Sequence, residues 1–549
     1  KRLYQRDKLH PSIMMWSLGN ESGGYANTDK MYEYLKEHTD IPVHYESAIH
    51  CDRKAYDVGS EMYPPVEQVH AIGEGTWKEP KLNDRPYFLC EYAHAMGVGP
   101  GGIEGYWKEI YSYDSLMGGC IWEMVDHAVL HEDGSYTYGG DHGEWEHDGN
   151  FCVDGLFYPD RTPSTGAKLA RFTYRPIRVS KVGENRYEIF NTMAFTGGSR
   201  YELKFEWSDG RCAVVIPNTE PLSKSVVTVE PSDIEDESPE TGGDLTANRM
   251  SWVTVTTTDR RSGKEVSKEQ IVLGAMESLA EADPALLEKE DKLPDEVSLT
   301  AEGFALKTDS FTLTSGTPYT ILYRVSTDND KTLTGEKPME AFEDAREELL
   351  HADYKDGAVT VATKITCKKF VFTCTDTYEK TAGGILVTSK IHCEKGKGHL
   401  PRFGKTYRLD EAFDQVEYLG RNGESYADMK DQTQIERVLC KVGDMTEPNI
   451  RPQESGNRMD TQYAAVSDGV HRVQFTAVDQ PFELAIKPYS DVELASMKHR
   501  EDEKVSGTYV TVQAFQMGIG TGSCGPATTE EFCYDMKRDY EMKFLISWT

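Results

Sequence analysis

The sequence predicts a multidomain α/β plus all-β protein: a partial (β/α)8 TIM barrel, about strands 4 to 8, followed by an Ig-like β-sandwich and a large C-terminal β-sandwich. At 549 residues the chain is too long for one hydrophobic core. Apolar runs alternate with amphipathic stretches up to about residue 172, and the pattern then changes to period two with frequent turns. These observations divide the chain into a barrel part at 1–172, a first sandwich at 173–280, a linker at 281–297 and a second sandwich at 298–549.

The barrel part is predicted from short apolar runs separated by helical stretches. One helix is expected to be capped by Asn27-Thr28-Asp29, and another to run from Gly105 to Tyr113. Strand–helix–strand alternation gives a parallel sheet, but a closed barrel needs eight strands. We therefore expect three strands upstream of Lys1, and a truncated chain with an exposed sheet edge. The five predicted strands are Ser12 to Leu18, Val43 to Ser47, Val58 to Met62, Tyr87 to Cys90 and Cys120 to Met124.

The rest of the chain is predicted to be antiparallel β structure. Arg186 to Phe190 and Trp252 to Thr256 alternate with period two, as half-buried strands do. Within this sandwich, Glu230 to Asp244 is rich in Pro, Gly and acidic residues and is interpreted as a solvated loop. The charged stretch Glu281 to Glu296 is interpreted as the linker. Strands and turns then continue from Ser298 with almost no helix, which indicates one large sandwich.

Composition excludes several classes of function. The chain has 92 acidic and 60 basic residues and a net charge of −32, which disfavours nucleic acids and anionic membranes as partners. No apolar run approaches the roughly 20 residues that span a bilayer. Eleven cysteines are scattered singly without a CxxC pair, and we expect reduced thiols and a cytoplasmic location. A neutral substrate suits this surface best.

Two glutamates stand out because each follows an apolar run and falls at a predicted strand end. Glu21 is preceded by Asn20, and Glu91 is followed three residues later by His94. An acid after a buried strand can simply mark the return of the chain to water. Cleavage of a glycosidic bond with retention, however, needs two carboxyl groups about 5 Å apart, one to protonate the leaving oxygen and one to attack the sugar. The neighbouring amide and imidazole favour this catalytic interpretation.

Several motifs resemble the large bacterial β-galactosidases of glycoside hydrolase family 2, and the resemblance covers essentially the whole chain. Those in the barrel part are Trp16 to Gly23, Cys90 to Gly97, Tyr138 to Asp141 and Asp160 to Pro163. Those in the C-terminal sandwich are Ser326 to Asp330 and Gln516 to Gly520.

The resemblance implies the hydrolysis of terminal non-reducing β-D-galactosides, such as lactose, through a covalent galactosyl-enzyme. Glu21 would be the acid/base, which must carry a proton at neutral pH, and Glu91 would be the ionised nucleophile. The resemblance also implies roles for five other side chains: Asn20 and His94 for galactose hydroxyls, Tyr63 for a hydrogen bond to Glu91, Trp122 for the apolar face of the sugar, and Tyr509 for the aglycone.

The same resemblance implies two metal ions. Mg²⁺ would bind beside Glu21, with its other protein ligands upstream of Lys1, so the site in this chain is expected to be incomplete. Na⁺ would bind the Phe151 carbonyl and Asp154, which stands where an Asn is frequent. The full-length protein is expected to be a homo-oligomer.

Two alternatives stay open at this stage. The chain could be another family 2 glycosidase such as a β-glucuronidase, although no basic group near Glu91 suggests recognition of a sugar carboxylate. It could instead be a non-catalytic carbohydrate-binding or assembly component that a missing N-terminal portion completes, and we expect the isolated chain to be inactive. Gly518 to Gly522 forms a GxGxG pattern but lacks the strand-then-helix setting of a dinucleotide site, so we expect a β-turn or an active-site loop there.

Overall fold

The computed structural model describes residues 1–23, 25–46, 48, 56–232, 252–274, 284–290, 297–300, 303–330 and 339–549. Most of the predicted linker and of the predicted loop at 230–244, together with Ser47, lie outside the described residues. The α-helices of the described part are α1 Arg2–Asp7, α2 Tyr25–Lys36, α3 Val66–Gly73, α4 Pro80–Asn83, α5 Ile103–Ile110, α6 Thr165–Thr173, α7 Glu340–Glu343 and α8 Asp491–Ser496. None of these helices is long and apolar enough to cross a membrane.

The strands of the first two parts of the chain are β1 Trp16–Ser17, β2 Val43–His44, β3 Gly59–Met62, β4 Tyr87–Tyr92, β5 Leu116–Ile121, β6 Val129–Leu130, β7 Tyr136–Thr137, β8 Ile177–Gly183, β9 Arg186–Asn191, β10 Tyr201–Trp207, β11 Cys212–Val215, β12 Ser223–Thr228, β13 Trp252–Asp259 and β14 Lys264–Val272.

The strands of the C-terminal part are β15 Val297–Thr300, β16 Gly303–Lys307, β17 Thr312–Ile321, β18 Arg346–Lys355, β19 Ala358–Cys367, β20 Phe370–Thr381, β21 Gly384–Lys395, β22 Arg402–Leu409, β23 Gln415–Arg421, β24 Ile435–Lys441, β25 Asn457–Thr461, β26 Tyr463–Ser467, β27 Arg472–Ala477, β28 Phe482–Lys487, β29 Thr508–Gln516 and β30 Tyr540–Trp548.

The first five strands form two parallel sheets, as the alternation of strands and helices predicts. β1 pairs with β2, and β3, β4 and β5 form a second sheet in that order. Helices α2, α3 with α4, and α5 lie between successive strands in the chain. Within each sheet the carboxyl ends of the strands point to the same side, and the candidate residues lie at or just after these ends.

Two local predictions about the barrel part are wrong. The fifth strand is Leu116–Ile121 rather than Cys120 to Met124. Gly119 allows this earlier segment to lie close to β4, because a Cβ atom at position 119 would be only 2.7 Å from the Cβ atom of Leu89. Helix α2 begins at Tyr25, so Asn27-Thr28-Asp29 belongs to its first turns and does not precede it.

Residues that follow the barrel part form an antiparallel sandwich. Its two sheets have the strand orders β11-β10-β13-β14 and β12-β9-β8, and Ile189, Phe205 and Val253 are buried in its core. Arg175, just after α6, ties this sandwich to the barrel part. Its guanidinium contacts Glu269 of β14 at 3.1 Å and Glu104 of α5 at 3.0 Å.

The C-terminal part consists of a seven-stranded sheet, β15-β16-β17-β22-β29-β28-β25, and a nine-stranded sheet, β18-β19-β20-β21-β30-β27-β26-β23-β24. Apolar side chains of both sheets share one large core cluster. This is the large sandwich that the period-two pattern predicts.

A loop after β29 connects the large sandwich to the barrel part. The Asp428 carboxylate accepts hydrogen bonds from the backbone N–H groups of Ile519 (2.9 Å) and Gly520 (2.7 Å). The N–H of Gly101 in turn donates to the Gly520 carbonyl at 2.9 Å, and that of Gly102 to the Asp428 carbonyl at 3.0 Å. The GxGxG segment is thus a structural loop, as predicted, and it places residues 518–525 beside the carboxyl ends of the parallel strands.

Candidate active site

Three strand ends converge on Glu91, near the end of β4. Tyr63 immediately follows β3, and its hydroxyl donates to Oε2 of Glu91 at 2.8 Å. Asn20 follows β1, and its amide nitrogen donates to Oε1 of Glu91 at 3.3 Å. Both carboxylate oxygens of Glu91 therefore accept a hydrogen bond from a side chain at another strand end.

Glu21, beside Asn20, is held through its backbone. Its N–H donates to Oε2 of Glu46 at 3.2 Å, and its own side chain is exposed. Glu21 and Tyr63 both have left-handed backbones, with φ angles of 45° and 51°. Such conformations are unfavourable for residues with a Cβ and persist where the surroundings impose them.

Glu46 is a residue that the sequence reasoning missed. Glu46 is buried and lies two residues after the end of β2. An acidic residue just after a predicted parallel strand is the sequence pattern that could have identified it.

The phenol of Tyr63 remains a hydrogen-bond donor over the physiological pH range. Burial raises the pKa of Tyr63 far above its ordinary value, and the hydrogen bond to Glu91 and the Glu91 charge raise it further. A neutral phenol facing a carboxylate must donate, so this bond stabilises the charged form of Glu91.

His94 is 1% exposed and is held on both ring nitrogens. Nδ1 lies 2.8 Å from Oγ of Ser523, and Nε2 lies 3.5 Å from Oδ2 of Asp154. The rings of Tyr63 and Phe151 pack against the imidazole, with centroid distances of 5.9 and 5.5 Å. The ring is therefore fixed next to the Tyr63–Glu91 pair.

Electrostatics favour a charged pair between His94 and Asp154. Burial by itself lowers the pKa of His94, but hydrogen bonds to Asp154 and Cys524 outweigh it and raise the pKa to about 9. Burial likewise opposes ionisation of Asp154, but the bond from His94 outweighs it and holds the pKa of Asp154 below its ordinary value.

Trp122 directly follows β5 and is 42% exposed. Its indole nitrogen donates to Oδ2 of Asp154 at 3.1 Å, and its carbonyl accepts from the Ala95 N–H at 2.8 Å. The peptide bond between Trp122 and Glu123 is cis. The indole is thus fixed at one edge and leaves an open face, which is the arrangement that an aromatic platform for a sugar requires.

The structure offers an observation that bears on the predicted Na⁺ site but none that adds a ligand to the predicted Mg²⁺ site. Asp154 Oδ1 is buried without a hydrogen-bond partner among the described residues, so this oxygen fits a hard cation such as Na⁺. In the described part of the chain, no group of three or more His, Cys, Asp or Glu side chains could hold a metal. Glu21 therefore stays a single predicted ligand for Mg²⁺.

The structure does not bring Tyr509 to this site. Tyr509 is the second residue of β29, where its ring lies beside the Arg408 guanidinium and its hydroxyl near that of Ser506. The loop that reaches His94 leaves the opposite end of the same strand, about 24 Å away at the usual rise per residue. No contact between Tyr509 and the residues around Glu91 is found among the described residues, and its role towards the aglycone stays a prediction.

Comparisons with known proteins identify relatives for both ends of the chain. Residues 1–179 match the family described as "Glycosyl hydrolases family 2, TIM barrel domain", and residues 302–546 match "Beta galactosidase small chain". The chain is 28% identical over 570 residues to a β-galactosidase of Staphylococcus xylosus, and this match covers 96% of the chain and 56% of that protein.

Two further relatives are also β-galactosidases. The protein from Priestia megaterium is 30% identical over 592 residues, with 100% of this chain and 55% of that protein covered. The protein from Pectobacterium atrosepticum is 43% identical over 173 residues, which cover 30% of this chain and 16% of that protein. The chain thus spans a little over half the length of the first two relatives.

Proposed function

We propose that this chain carries the two catalytic carboxylates of an enzyme that hydrolyses terminal β-D-galactosides, such as lactose. The reaction retains the configuration at the anomeric carbon. Over its whole length the chain resembles the β-galactosidases of glycosyl hydrolase family 2. The observation that carries the proposal is the convergence of Tyr63 and Asn20 on the two oxygens of Glu91, with Glu21 adjacent to Asn20. The names of the relatives support galactose as the sugar.

In this reaction Glu91 attacks the anomeric carbon and forms a covalent galactosyl ester, while Glu21 protonates the departing glycosidic oxygen. Glu21 then removes a proton from water, which attacks the same carbon and releases Glu91. Two inversions give overall retention. Hydrogen bonds from Tyr63 and Asn20 orient the two oxygens of Glu91 for the attack and stabilise the carboxylate that leaves in the second step.

The side chains near Glu91 are suited to a neutral sugar. His94 would bind a galactose hydroxyl, and the open face of Trp122 would pack against the apolar face of the ring. Na⁺ held by the Phe151 carbonyl and Asp154, and Mg²⁺ beside Glu21, would supply positive charge to the sugar hydroxyls and to the acid/base. Both metal sites are proposals that rest on the family resemblance and, for Na⁺, on the unpartnered oxygen of Asp154.

Trapping of the covalent intermediate tests the proposal directly. The 549-residue chain is incubated with an activated 2-deoxy-2-fluoro-β-galactoside, alone and mixed with an N-terminal fragment of the Priestia megaterium relative. Intact mass and peptide mapping then locate the label. In the mixture we expect one fluorogalactosyl group on the peptide that contains Glu91, and none in Glu91→Gln; the chain alone should stay unlabelled.

Parallel fluoroglucuronide labelling tests the alternative sugar, and NMR of the first-formed product tests retention. Labelling in the mixture but not in the chain alone would assign the chain to a catalytic component that needs a second polypeptide. An absence of labelling under both conditions, with the Priestia megaterium protein labelled as a control, would favour the non-catalytic alternative.

A further inference from the structure

His94 is supported by the large C-terminal sandwich as well as by its own barrel part. Its partner Ser523 is 429 residues away in sequence and lies in the loop between β29 and β30. Both side chains are buried, so water does not replace this contact. An element remote from the catalytic strands therefore determines how the imidazole is held.

Asn329 makes a second connection between the same regions. Its amide nitrogen donates to the Met96 carbonyl at 2.9 Å, two residues after His94, and its amide oxygen accepts from Oγ of Ser523 at 2.8 Å. Asn329 thus bridges the segment after β4 and the loop that carries Ser523.

The directions of these hydrogen bonds follow from the available protons. The Met96 carbonyl can only accept, so the NH₂ group of Asn329 faces it and the amide oxygen faces Ser523. That oxygen can only accept, so the single hydroxyl proton of Ser523 points to Asn329. Oγ of Ser523 is then left as an acceptor towards His94, and Nδ1 of His94 must carry a proton.

We propose that Ser523 and Asn329 are positioning residues that hold the Nδ1–H group of His94 in a hydrogen bond, so that Nε2 is the ring atom that faces Asp154 and a sugar hydroxyl. This inference deepens the proposed function and rests on it for the role of the sugar. The two residues act through His94 and need not touch the substrate.

Close packing around Asn329 fixes the bridge in place. Asp328 accepts hydrogen bonds from Asn150 (2.9 Å), Arg451 (2.8 Å) and Gln453 (2.9 Å), which hold the turn on both sides. A Cβ atom on Gly99 would lie 2.5 Å from the Asn329 amide nitrogen. The turn therefore has little room to move away from Met96.

The experiment compares the full chain with Ser523→Ala, Ser523→Thr and Asn329→Asp. Ser267→Ala is the matched control, because Ser267 is a buried serine of the first sandwich whose hydroxyl has no partner among the described residues. The first readout is the proton on Nδ1 of His94 in ¹H–¹⁵N spectra of histidine-labelled protein, assigned by its loss in His94→Gln. The second readout is the pair of values KM and kcat for a chromogenic galactoside. They are measured with the chain alone or with the mixture of the trapping experiment, depending on which of the two turns over substrate.

We expect a protected Nδ1 proton in the parent chain, Ser523→Thr and Ser267→Ala, and its loss by rapid exchange in Ser523→Ala. Asn329→Asp, which removes the donor to Met96, should weaken the same signal. KM should rise about threefold to tenfold in Ser523→Ala, with kcat nearly unchanged, because a sugar contact present in both ground and transition states is weakened. Ser523→Thr should restore KM.

An unchanged Nδ1 signal in Ser523→Ala would overturn the proposal. So would a changed signal with an unchanged KM, because Ser523 would then have no bearing on sugar binding. If no condition gives turnover but the Nδ1 proton behaves as expected, the proposed function fails, and the assignment of Ser523 as the acceptor that holds His94 is supported independently.

Discussion

Tyr63 is joined to Glu91 through both its side chain and its backbone. The hydroxyl donates to Oε2 of Glu91 at 2.8 Å, and the N–H of Tyr63 donates to the Glu91 carbonyl at 2.8 Å. The backbone bond extends the β3–β4 pairing by one residue, and the left-handed φ of Tyr63 turns the chain at that point. The register of two strands thus fixes a phenol against the proposed nucleophile.

Removal of this phenol should slow the reaction without unfolding the protein. In Tyr63→Phe, Glu91 loses a hydrogen bond to its charged form, worth about 1.5–3 kcal/mol. We expect kcat/KM for an aryl galactoside to fall about tenfold to a hundredfold. Tyr463→Phe is the matched control, because its hydroxyl also donates to a carboxylate, that of Glu417 at 2.9 Å, in the large sandwich. Equal losses in the two variants would contradict a specific role for Tyr63.

His44 should make the barrel part sensitive to mild acid. Burial lowers the pKa of His44 from 6.5 to about 4, although the Glu46 charge partly opposes this. Below pH 6.5 the His44 imidazole is protonated in the unfolded chain but stays neutral in the folded chain until the pH approaches 4. The free energy of unfolding therefore falls as the pH drops from 6.5 towards 4. The expected loss between pH 7 and pH 5 is about 2 kcal/mol from this group.

Urea denaturation of the parent chain and of His44→Gln at the two pH values measures that loss. The variant should lose less stability on acidification than the parent. Exposed His392, whose pKa is instead raised by its hydrogen bond to Asp539, provides the control His392→Gln. Identical acid sensitivity of the parent and His44→Gln would show that His44 is not the responsible group.

Gly119 should not tolerate even a methyl group. An added Cβ would lie 2.7 Å from Cβ and 2.8 Å from the carbonyl oxygen of Leu89 on the neighbouring strand. These atoms of Leu89 belong to or adjoin the backbone of β4, the strand that also contains Glu91, so they cannot move aside as the end of a flexible side chain can. Gly119→Ala should therefore lower the free energy of unfolding by about 1–3 kcal/mol. A thermal melt compares it with Gly443→Ala, where the added atom meets nothing within 4 Å. A Gly119→Ala melting temperature equal to that of Gly443→Ala would argue against the close strand approach.

Arg175 should be essential for the junction between barrel part and first sandwich. Replacement by Met would remove the cation at 3.1 Å from the buried carboxylate of Glu269, whereas Glu104 would keep its ion pair with Arg178 at 2.7 Å. Breaking such a buried pair costs about 3–5 kcal/mol. Arg211→Met removes an exposed pair with Asp209 and should cost less than about 1 kcal/mol. Denaturation midpoints of the two variants are the comparison, and similar midpoints would refute the assigned importance of the junction.

Local patterns were sufficient to locate residues near the ends of parallel strands. An apolar run followed by a polar turn predicts Glu91 at a strand end, although β4 continues to Tyr92. Tyr63 comes directly after the predicted strand Val58 to Met62, and β3 does end at Met62. Trp122 falls inside the predicted strand Cys120 to Met124, whereas β5 ends just before it. Each of these positions depends only on a few neighbouring residues.

Contacts between distant parts of the chain could not be predicted in this way. Nothing in the neighbourhood of Ser523 or Asn329 reveals that both approach His94, because periodicity reports which face of an element is buried and not what buries it. The place of Tyr509 near the start of β29 has the same origin, because the pairing of β29 with β22 and β28 joins segments that are far apart in sequence.

The long separation between His94 and Ser523 has a consequence for how the protein is made. During synthesis the ribosome completes all five parallel strands long before it reaches Ser523, and for that interval the imidazole lacks its acceptor. A nonsense codon anywhere between these positions yields a polypeptide that contains Glu21, Glu91 and His94 but lacks the serine hydroxyl that accepts from Nδ1 of His94. The hydrogen bond between His94 and Ser523 is therefore formed only in translation products that extend through the loop after β29.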